Sequence, residues 1–127
     1  MTIFFQATIV DVGPEVAELL EGGVLILYGL GAPPELAEVS VLHLVEEGPT
    51  PEPPPVGARL SIGSHSAALT AVGERAWKKI ADIGHVVINF NGSATPERPG
   101  EICVEAADPR AFAAMMVVGS TITIEGA

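Results

Sequence analysis

The chain has 127 residues, of which 48% are apolar and 17% are charged, and it contains one cysteine. Its length predicts one domain, and its apolar content excludes a disordered chain and allows a core without disulfides or metal. Sixteen acidic and six basic residues give a net charge of −10. This charge argues against a nucleic-acid partner, because phosphate binding requires a basic surface.

Short β-branched stretches separated by turn residues predict eight strands. In chain order, we place them at Thr2–Val12, Gly23–Tyr28, Val39–Val45, Ala58–Ile62, His65–Val72, His85–Phe90, Glu101–Glu105 and Ser120–Glu125. Two short helices, Pro14–Leu20 and Glu74–Ile83, each precede a glycine that predicts their end. Eight short, regularly spaced strands predict an all-β fold: a small antiparallel β-barrel with one or two short helices, formed by a single domain over residues 1–127.

The segment Gly48–Pro55 contains five of the 11 prolines. Proline lacks an amide donor and has a fixed φ, so this segment is predicted to be an extended surface loop. A plain connector and a proline-rich recognition segment are both compatible with this composition.

No targeting or membrane-spanning segment is expected. The first five residues lack the positive charge that begins a signal peptide, and the apolar run Val24–Tyr28 is too short to cross a bilayer. A single thiol also fits a reducing compartment. We therefore expect a cytoplasmic protein without direct membrane insertion.

The charge is distributed unevenly along the chain. Residues 1–58 contain nine acidic side chains and no lysine or arginine, so this part carries a net charge of −9. Such a surface favours a basic protein partner, because complementary fields steer association. Solubility alone is the alternative explanation.

His43 is the most informative of the three histidines. Apart from Ser40, it is the only polar residue in the apolar run Val39–Val45, and strand periodicity puts it on the same face as Val39, Val41 and Val45. Burial disfavours the charged imidazolium, which keeps one ring nitrogen free as a nucleophile, and a hydrogen bond to the other nitrogen fixes the tautomer. These properties suit a phosphoryl acceptor, but they also describe a core histidine bonded to a backbone carbonyl.

The remaining candidates are weaker. His65 lies between Ser64 and Ser66 after Gly63, where hydroxyl and amide groups could hold phosphoryl oxygens, although a hairpin turn with a surface histidine explains the same residues. His85 is interpreted as a capping or packing histidine. The histidine spacing does not predict a metal site.

Two hydrophobic side chains have structural interpretations. Cys103 is interpreted as a small buried hydrophobe. Trp77 is interpreted either as a packing residue or as an exposed contact. No cofactor-binding motif is present in the sequence.

Several segments, in order and with matching spacing, resemble the glucitol/sorbitol-specific IIA component of the bacterial phosphoenolpyruvate-dependent sugar phosphotransferase system. The resemblance covers nearly the whole chain and is strongest in its second half. It rests on Phe5–Ile9, Gly31–Pro33, Leu42-His43, Leu60–Gly63 with His65, Thr70–Gly73, Ile83–Val86, Phe90–Gly92 and Pro99-Gly100.

This resemblance implies a cytoplasmic β-barrel phosphotransferase that takes part in sugar transport. The phosphocarrier HPr would phosphorylate His43, and the IIB component of a glucitol/sorbitol-type permease would receive the phosphoryl group. Beyond what the resemblance implies, we expect His65 to act as a helper and Ser64, Ser66 and the backbone amides near Gly63 to hold phosphoryl oxygens. The acidic residues nearest His43 in sequence, Glu38, Glu46 and Glu47, are predicted to lie at the rim of the docking surface.

The chain also departs from the family pattern. Some members have a second histidine two positions after the first, where this chain has Val45, which makes His65 the better helper candidate. Asn89 and Asn91 stand in a segment where members often have aspartate. A non-catalytic β-barrel that serves as a regulatory or protein-binding module is the alternative function.

Overall fold

The computed structural model describes residues 2–126. Its strands are β1 (Thr2–Val12), β2 (Val24–Tyr28), β3 (Val41–Glu47), β4 (Arg59–Ile62), β5 (His65–Val72), β6 (Val86–Asn89), β7 (Glu101–Val104) and β8 (Thr121–Gly126). Its helices are α1 (Val16–Glu21), α2 (Pro34–Ala37), α3 (Ala76–Ile83) and α4 (Pro109–Ala113). None of the helices among these residues combines the length and apolar composition that a membrane span requires.

The eight strands form one closed barrel in the order β1-β3-β2-β6-β7-β5-β4-β8, and β8 closes it by pairing with β1. Closure leaves no free edge on these apolar strands. Two neighbouring pairs, β2 with β3 and β6 with β7, run parallel, whereas the others are antiparallel. A parallel pair requires a crossover connection, and α2 lies in the one between β2 and β3.

Alternating side chains of the strands fill the core. In β1, Phe5, Ala7 and Ile9 are buried, and Ile122 and Ile124 of the adjacent β8 are buried on the same side. This alternation follows from the two-residue period of a strand. Helix α4 adds Phe112, whose ring lies 4.9 Å from that of Phe90.

The proline-rich segment packs against α3. Trp77 is 7% exposed, and its Nε1 donates a hydrogen bond of 2.6 Å to the Thr50 carbonyl oxygen. Trp77 is therefore a packing residue that attaches this segment to the helix. The segment contains no strand or helix, as its prolines predict.

The structure confirms the β-barrel and the eight predicted strands. The bounds of β1 and β5 are as predicted, and those of the other strands differ by one or two residues. Four short helices form, whereas one or two were expected, and the barrel is not wholly antiparallel. Cys103 is buried, as predicted.

Candidate functional site

His43 lies on the inward face of β3 and is only 1% exposed. It pairs with Ile9 of β1, and its ring is nearly perpendicular to that of Phe5 with the ring centroids 5.5 Å apart. Val41 is buried two positions earlier, as strand alternation requires. The apolar environment predicted for His43 is therefore present, although Val45, predicted to share its face, is 38% exposed.

One hydrogen bond determines the protonation pattern of this ring. His43 Nε2 lies 2.8 Å from the Gly84 carbonyl oxygen. A carbonyl oxygen only accepts, so Nε2 carries the proton, and Nδ1 of the neutral ring keeps its lone pair. Nδ1 is buried and has no hydrogen-bond partner among residues 2–126.

Gly84 is held at the end of α3 by its own backbone geometry. It has a left-handed φ of 69°, and its amide donates to the Ile80 carbonyl. Glycine adopts this conformation without the steric cost that a Cβ imposes. A Cβ on Gly84 would lie only 2.8 Å from Gly29 N and 3.0 Å from His43 Cε1. Glycine is thus required for the close contact with the ring as well as for the turn.

Gly29 completes this contact from the loop after β2. Its amide donates a hydrogen bond of 3.1 Å to the Ile83 carbonyl, and a Cβ on Gly29 would lie 2.8 Å from that oxygen. The close backbone approach joins the end of β2 to the end of α3. It therefore fixes the position of the carbonyl group that binds His43.

Burial also determines the charge of His43. Desolvation lowers the pKa of the imidazole below its ordinary value of 6.5, and the hydrogen bond to the Gly84 carbonyl partly opposes this change. The neutral ring is therefore favoured at neutral pH.

His43 lines an open cavity of about 510 Å³ between β3, the end of α3 and the loop after β2. Its rim is apolar: Leu30 is 59% exposed, Leu44 and Ile83 are each 48% exposed, and Val45 is 38% exposed. These four make up half of the large hydrophobic side chains exposed within residues 2–126. We refer to Leu30, Leu44, Val45 and Ile83 as the apolar rim.

Apart from His43, Asp82 is the only acidic or basic residue that lines this cavity among the described residues. It forms an exposed ion pair of 3.2 Å with Lys78, one helical turn earlier. Across the same described range, no group of three histidine, cysteine, aspartate or glutamate residues could hold a metal ion.

The structure does not bring the residues around His65 to His43. His65 begins β5, which is four strands from β3 in either direction around the barrel, and its ring lies 6.0 Å from that of Phe112. Ser66 accepts hydrogen bonds from Arg59, and Ser64 lies 3.6 Å from the Met115 sulfur. A Cβ on Gly63 would also meet Met115. None of these residues lines the His43 cavity.

The three acidic candidates flank His43 along the chain and are exposed. Glu38 follows α2 before β3, whereas Glu46 and Glu47 end β3. Glu46 accepts a hydrogen bond of 3.1 Å from Thr8. These positions lie beyond the residues that line the cavity, and their docking role stays a prediction.

His85 has a packing role, as interpreted from the sequence. Its Nδ1 lies 3.1 Å from the Leu27 carbonyl oxygen, and its ring lies 4.7 Å from that of Tyr28, which lines the His43 cavity. It therefore packs against Tyr28, one of the residues that line the cavity.

Sequence reasoning missed the Gly84 carbonyl and the apolar rim. Gly84 was predicted only as a helix end, and both Ile83–Val86 and Gly31–Pro33 carried the family resemblance without an assigned role. Gly84 and Gly29, the latter two residues before Gly31–Pro33, were the available signal, since a glycine often marks a close backbone approach. Nothing in the linear sequence predicts that the two segments meet at His43.

The fold and the site together define a small closed-barrel protein with a buried, neutral histidine beside an apolar-rimmed cavity. Residues 4–123 match the family described as "PTS system glucitol/sorbitol-specific IIA component". Two curated relatives, from Shigella flexneri and Escherichia coli (strain K12), are each named "PTS system glucitol/sorbitol-specific EIIA component". Each is 33% identical over 109 residues, which cover 86% of this chain and 87% of the relative.

A solved structure has the same fold: the PTS system IIA component from Enterococcus faecalis V583. It is 22% identical to this chain with a TM-score of 0.74, and the match covers 95% of this chain and 99% of the other. The chain belongs to the family of glucitol/sorbitol-specific IIA components of the sugar phosphotransferase system. This membership implies a phosphotransferase role in general.

We predict that His43 titrates below pH 6.5 in the folded protein, because burial disfavours its charged form. Between the lowered pKa and the ordinary value, the unfolded chain binds a proton that the folded chain does not. His43 should therefore make the fold less stable as the pH falls through this window. Its ring resonances, followed by NMR against pH, check the pKa, and a midpoint at or above 6.5 would contradict the prediction.

Proposed function

We propose that this chain is a cytoplasmic phosphocarrier that accepts a phosphoryl group from phospho-HPr on His43. It passes the group to the IIB component of a glucitol/sorbitol-type permease and so contributes to sugar uptake. Family membership supports this assignment. The observation that carries it is the His43 imidazole, which is neutral and has one unpaired ring nitrogen beside an open cavity.

The proposed reaction is an in-line transfer between two imidazole rings. Its transition state is loose, so the protein contributes mainly by positioning the nucleophile and stabilising charge. No lysine or arginine lines the cavity among the described residues, although Lys78 pairs with the lining residue Asp82. Leu30 and Gly31 line the cavity, and their amides have no backbone acceptor within residues 2–126, so these amides are candidates to bind phosphoryl oxygens.

The apolar rim supports a protein donor and a protein acceptor. When a complementary protein surface removes apolar side chains from water, the free energy of the complex falls. Apolar side chains grouped around a buried histidine therefore favour the docking of a protein. The proposed phosphoryl donor and acceptor are both proteins that must dock at this place. A single rim that serves both partners in turn fits a carrier that receives and then releases the same group.

We predict that His43→Gln abolishes phosphorylation, because the amide side chain has no nucleophilic ring nitrogen. The variant keeps a polar side chain of similar reach and should retain the fold. Both proteins are incubated with phosphoenolpyruvate, enzyme I and HPr, and the modified residue is mapped by mass spectrometry. Phosphorylation that persists in the folded variant would contradict the assignment and place the acceptor elsewhere, whereas an unmodified chain that takes up no phosphoryl group would favour the non-catalytic binding module.

His65→Ala tests the helper role, which stays a prediction. A helper that contacts the phosphoryl group should slow onward transfer by on the order of 10²-fold when it is removed. The position of β5 across the barrel from β3 favours the opposite result, a rate close to that of the unmodified chain. The rate of phosphoryl transfer to the IIB component distinguishes the two, and an unchanged rate removes His65 from the mechanism.

The salt dependence of the phosphorylation rate distinguishes apolar from acidic contributions to docking. Leu30→Ser should lower the apparent second-order rate constant for phosphorylation by about tenfold at every ionic strength, because moderate salt affects the burial of apolar surface only weakly. Val56→Ser is the matched control, since Val56 is 65% exposed and does not line the cavity. Equal effects of the two substitutions would contradict docking at the apolar rim.

Replacing Glu46 and Glu47 by glutamine should slow phosphorylation modestly at low salt. Rim charges act mainly on association rate, and exposed ion pairs contribute only about 0–1 kcal/mol each. The deficit should shrink as the Debye length falls from about 30 Å at 0.01 M to about 8 Å at 0.15 M. Parallel curves of rate against salt for both proteins would leave these carboxylates with a role in solubility alone.

A further inference from the structure

We infer that Nδ1 of His43 is the atom that accepts the phosphoryl group, and that the Gly84 carbonyl is the positioning group that makes it so. This inference rests on the proposed function and specifies its reacting atom. Two observations carry it: the 2.8 Å separation of His43 Nε2 from the Gly84 oxygen, and the absence of a hydrogen-bond partner for Nδ1 among residues 2–126.

The two ring nitrogens are not equivalent in this site. Nε2 bears the proton that the carbonyl accepts, so it has no lone pair for attack on phosphorus. Attack through Nε2 would require that this proton leave and that the buried Gly84 oxygen lose its partner. Nδ1 already has a free lone pair and requires no change of tautomer. The geometry therefore selects Nδ1.

The bonding changes balance without any proton transfer. The Nδ1 lone pair forms a new nitrogen–phosphorus bond, while the nitrogen–phosphorus bond of the donor breaks and its electron pair returns to the donor imidazole. The donor ring, protonated on its other nitrogen, leaves as a neutral imidazole. His43 keeps its Nε2 proton, so its ring acquires a positive charge beside the transferred phosphoryl group.

The Gly84 carbonyl stabilises the charge that develops in this step. A hydrogen bond from a cationic ring is stronger than one from a neutral ring, so the Nε2 contact strengthens as the reaction proceeds. Gly84 directly follows the last residue of α3, and the C-terminal end of a helix carries partial negative charge that also favours a cation. Interactions that are stronger in the transition state than in the ground state accelerate the reaction.

Access to Nδ1 requires a local movement. The atom is covered in the free chain although its residue lines the cavity. Docking of the donor must therefore displace covering atoms before transfer. When no partner is docked, the atoms that cover Nδ1 would also restrict the access of water to the phosphorylated nitrogen.

The direct test identifies the phosphorylated nitrogen in the unmodified chain. The protein, labelled with ¹⁵N-histidine, is phosphorylated with phosphoenolpyruvate, enzyme I and HPr, and the nitrogen–phosphorus coupling is assigned by heteronuclear NMR. Coupling at Nδ1 of His43 is the expected result. Coupling at Nε2 would overturn the inference while leaving the proposed function intact. The absence of phosphorylation on His43 would overturn both.

A pair of glycine variants tests the positioning role. Gly84→Ala and Gly92→Ala both place alanine at a left-handed φ, 69° and 66°, but only a Cβ at residue 84 meets the His43 ring. At residue 92 the nearest atom would be 3.6 Å away, an ordinary contact. Displacing the ring should lower the phosphorylation rate of folded Gly84→Ala by on the order of 10²-fold relative to Gly92→Ala. Equal rates in the two folded variants would contradict positioning by Gly84.

Discussion

The hydrogen bond between the His43 ring and the Gly84 carbonyl is the contact on which the chemistry of this site depends. Burial alone lowers the pKa of an imidazole but leaves open which nitrogen keeps the proton. The Gly84 carbonyl oxygen can only accept a hydrogen bond, so Nε2 keeps the proton. The buried ring is thereby held in one defined tautomer, with a free lone pair on Nδ1.

Much of the surrounding fold holds this carbonyl in place. The end of β2 meets the end of α3 through Gly29 and Ile83, and β2 also pairs in parallel with β3, which carries His43. The proline-rich segment attaches to α3 through Trp77. The site thus brings together β2, the loop after it, β3 and the end of α3, which are distant in sequence.

Sequence patterns predicted the parts of this arrangement that have local causes. Short β-branched runs define the strands, and a lone histidine in an apolar run makes His43 a candidate, although the same pattern describes a core histidine. The parallel pairing of β2 with β3 depends on tertiary contacts that no local pattern records. Helix α2, with four residues, is too short for a periodic signal. The contact of Gly84 with the ring escaped prediction because a backbone carbonyl has no signature in side-chain chemistry.

His65 shows that a local sequence pattern can also suggest a site that the tertiary structure does not assemble around His43. Serines and a glycine beside a histidine form a chemically reasonable phosphoryl site in the linear sequence, but closure of the barrel puts β5 across from β3. The structure instead surrounds His43 with backbone groups and the apolar rim. The family resemblance therefore selected His43 as the candidate acceptor, whereas only the strand order identified its neighbours.

The imidazole ¹⁵N spectrum of the unphosphorylated protein at neutral pH tests the central claim most directly. A His43 ring bonded to the Gly84 carbonyl should show a protonated Nε2 and an unprotonated Nδ1 in a single tautomer. A protonated Nδ1, or rapid exchange between the two tautomers, would contradict the account.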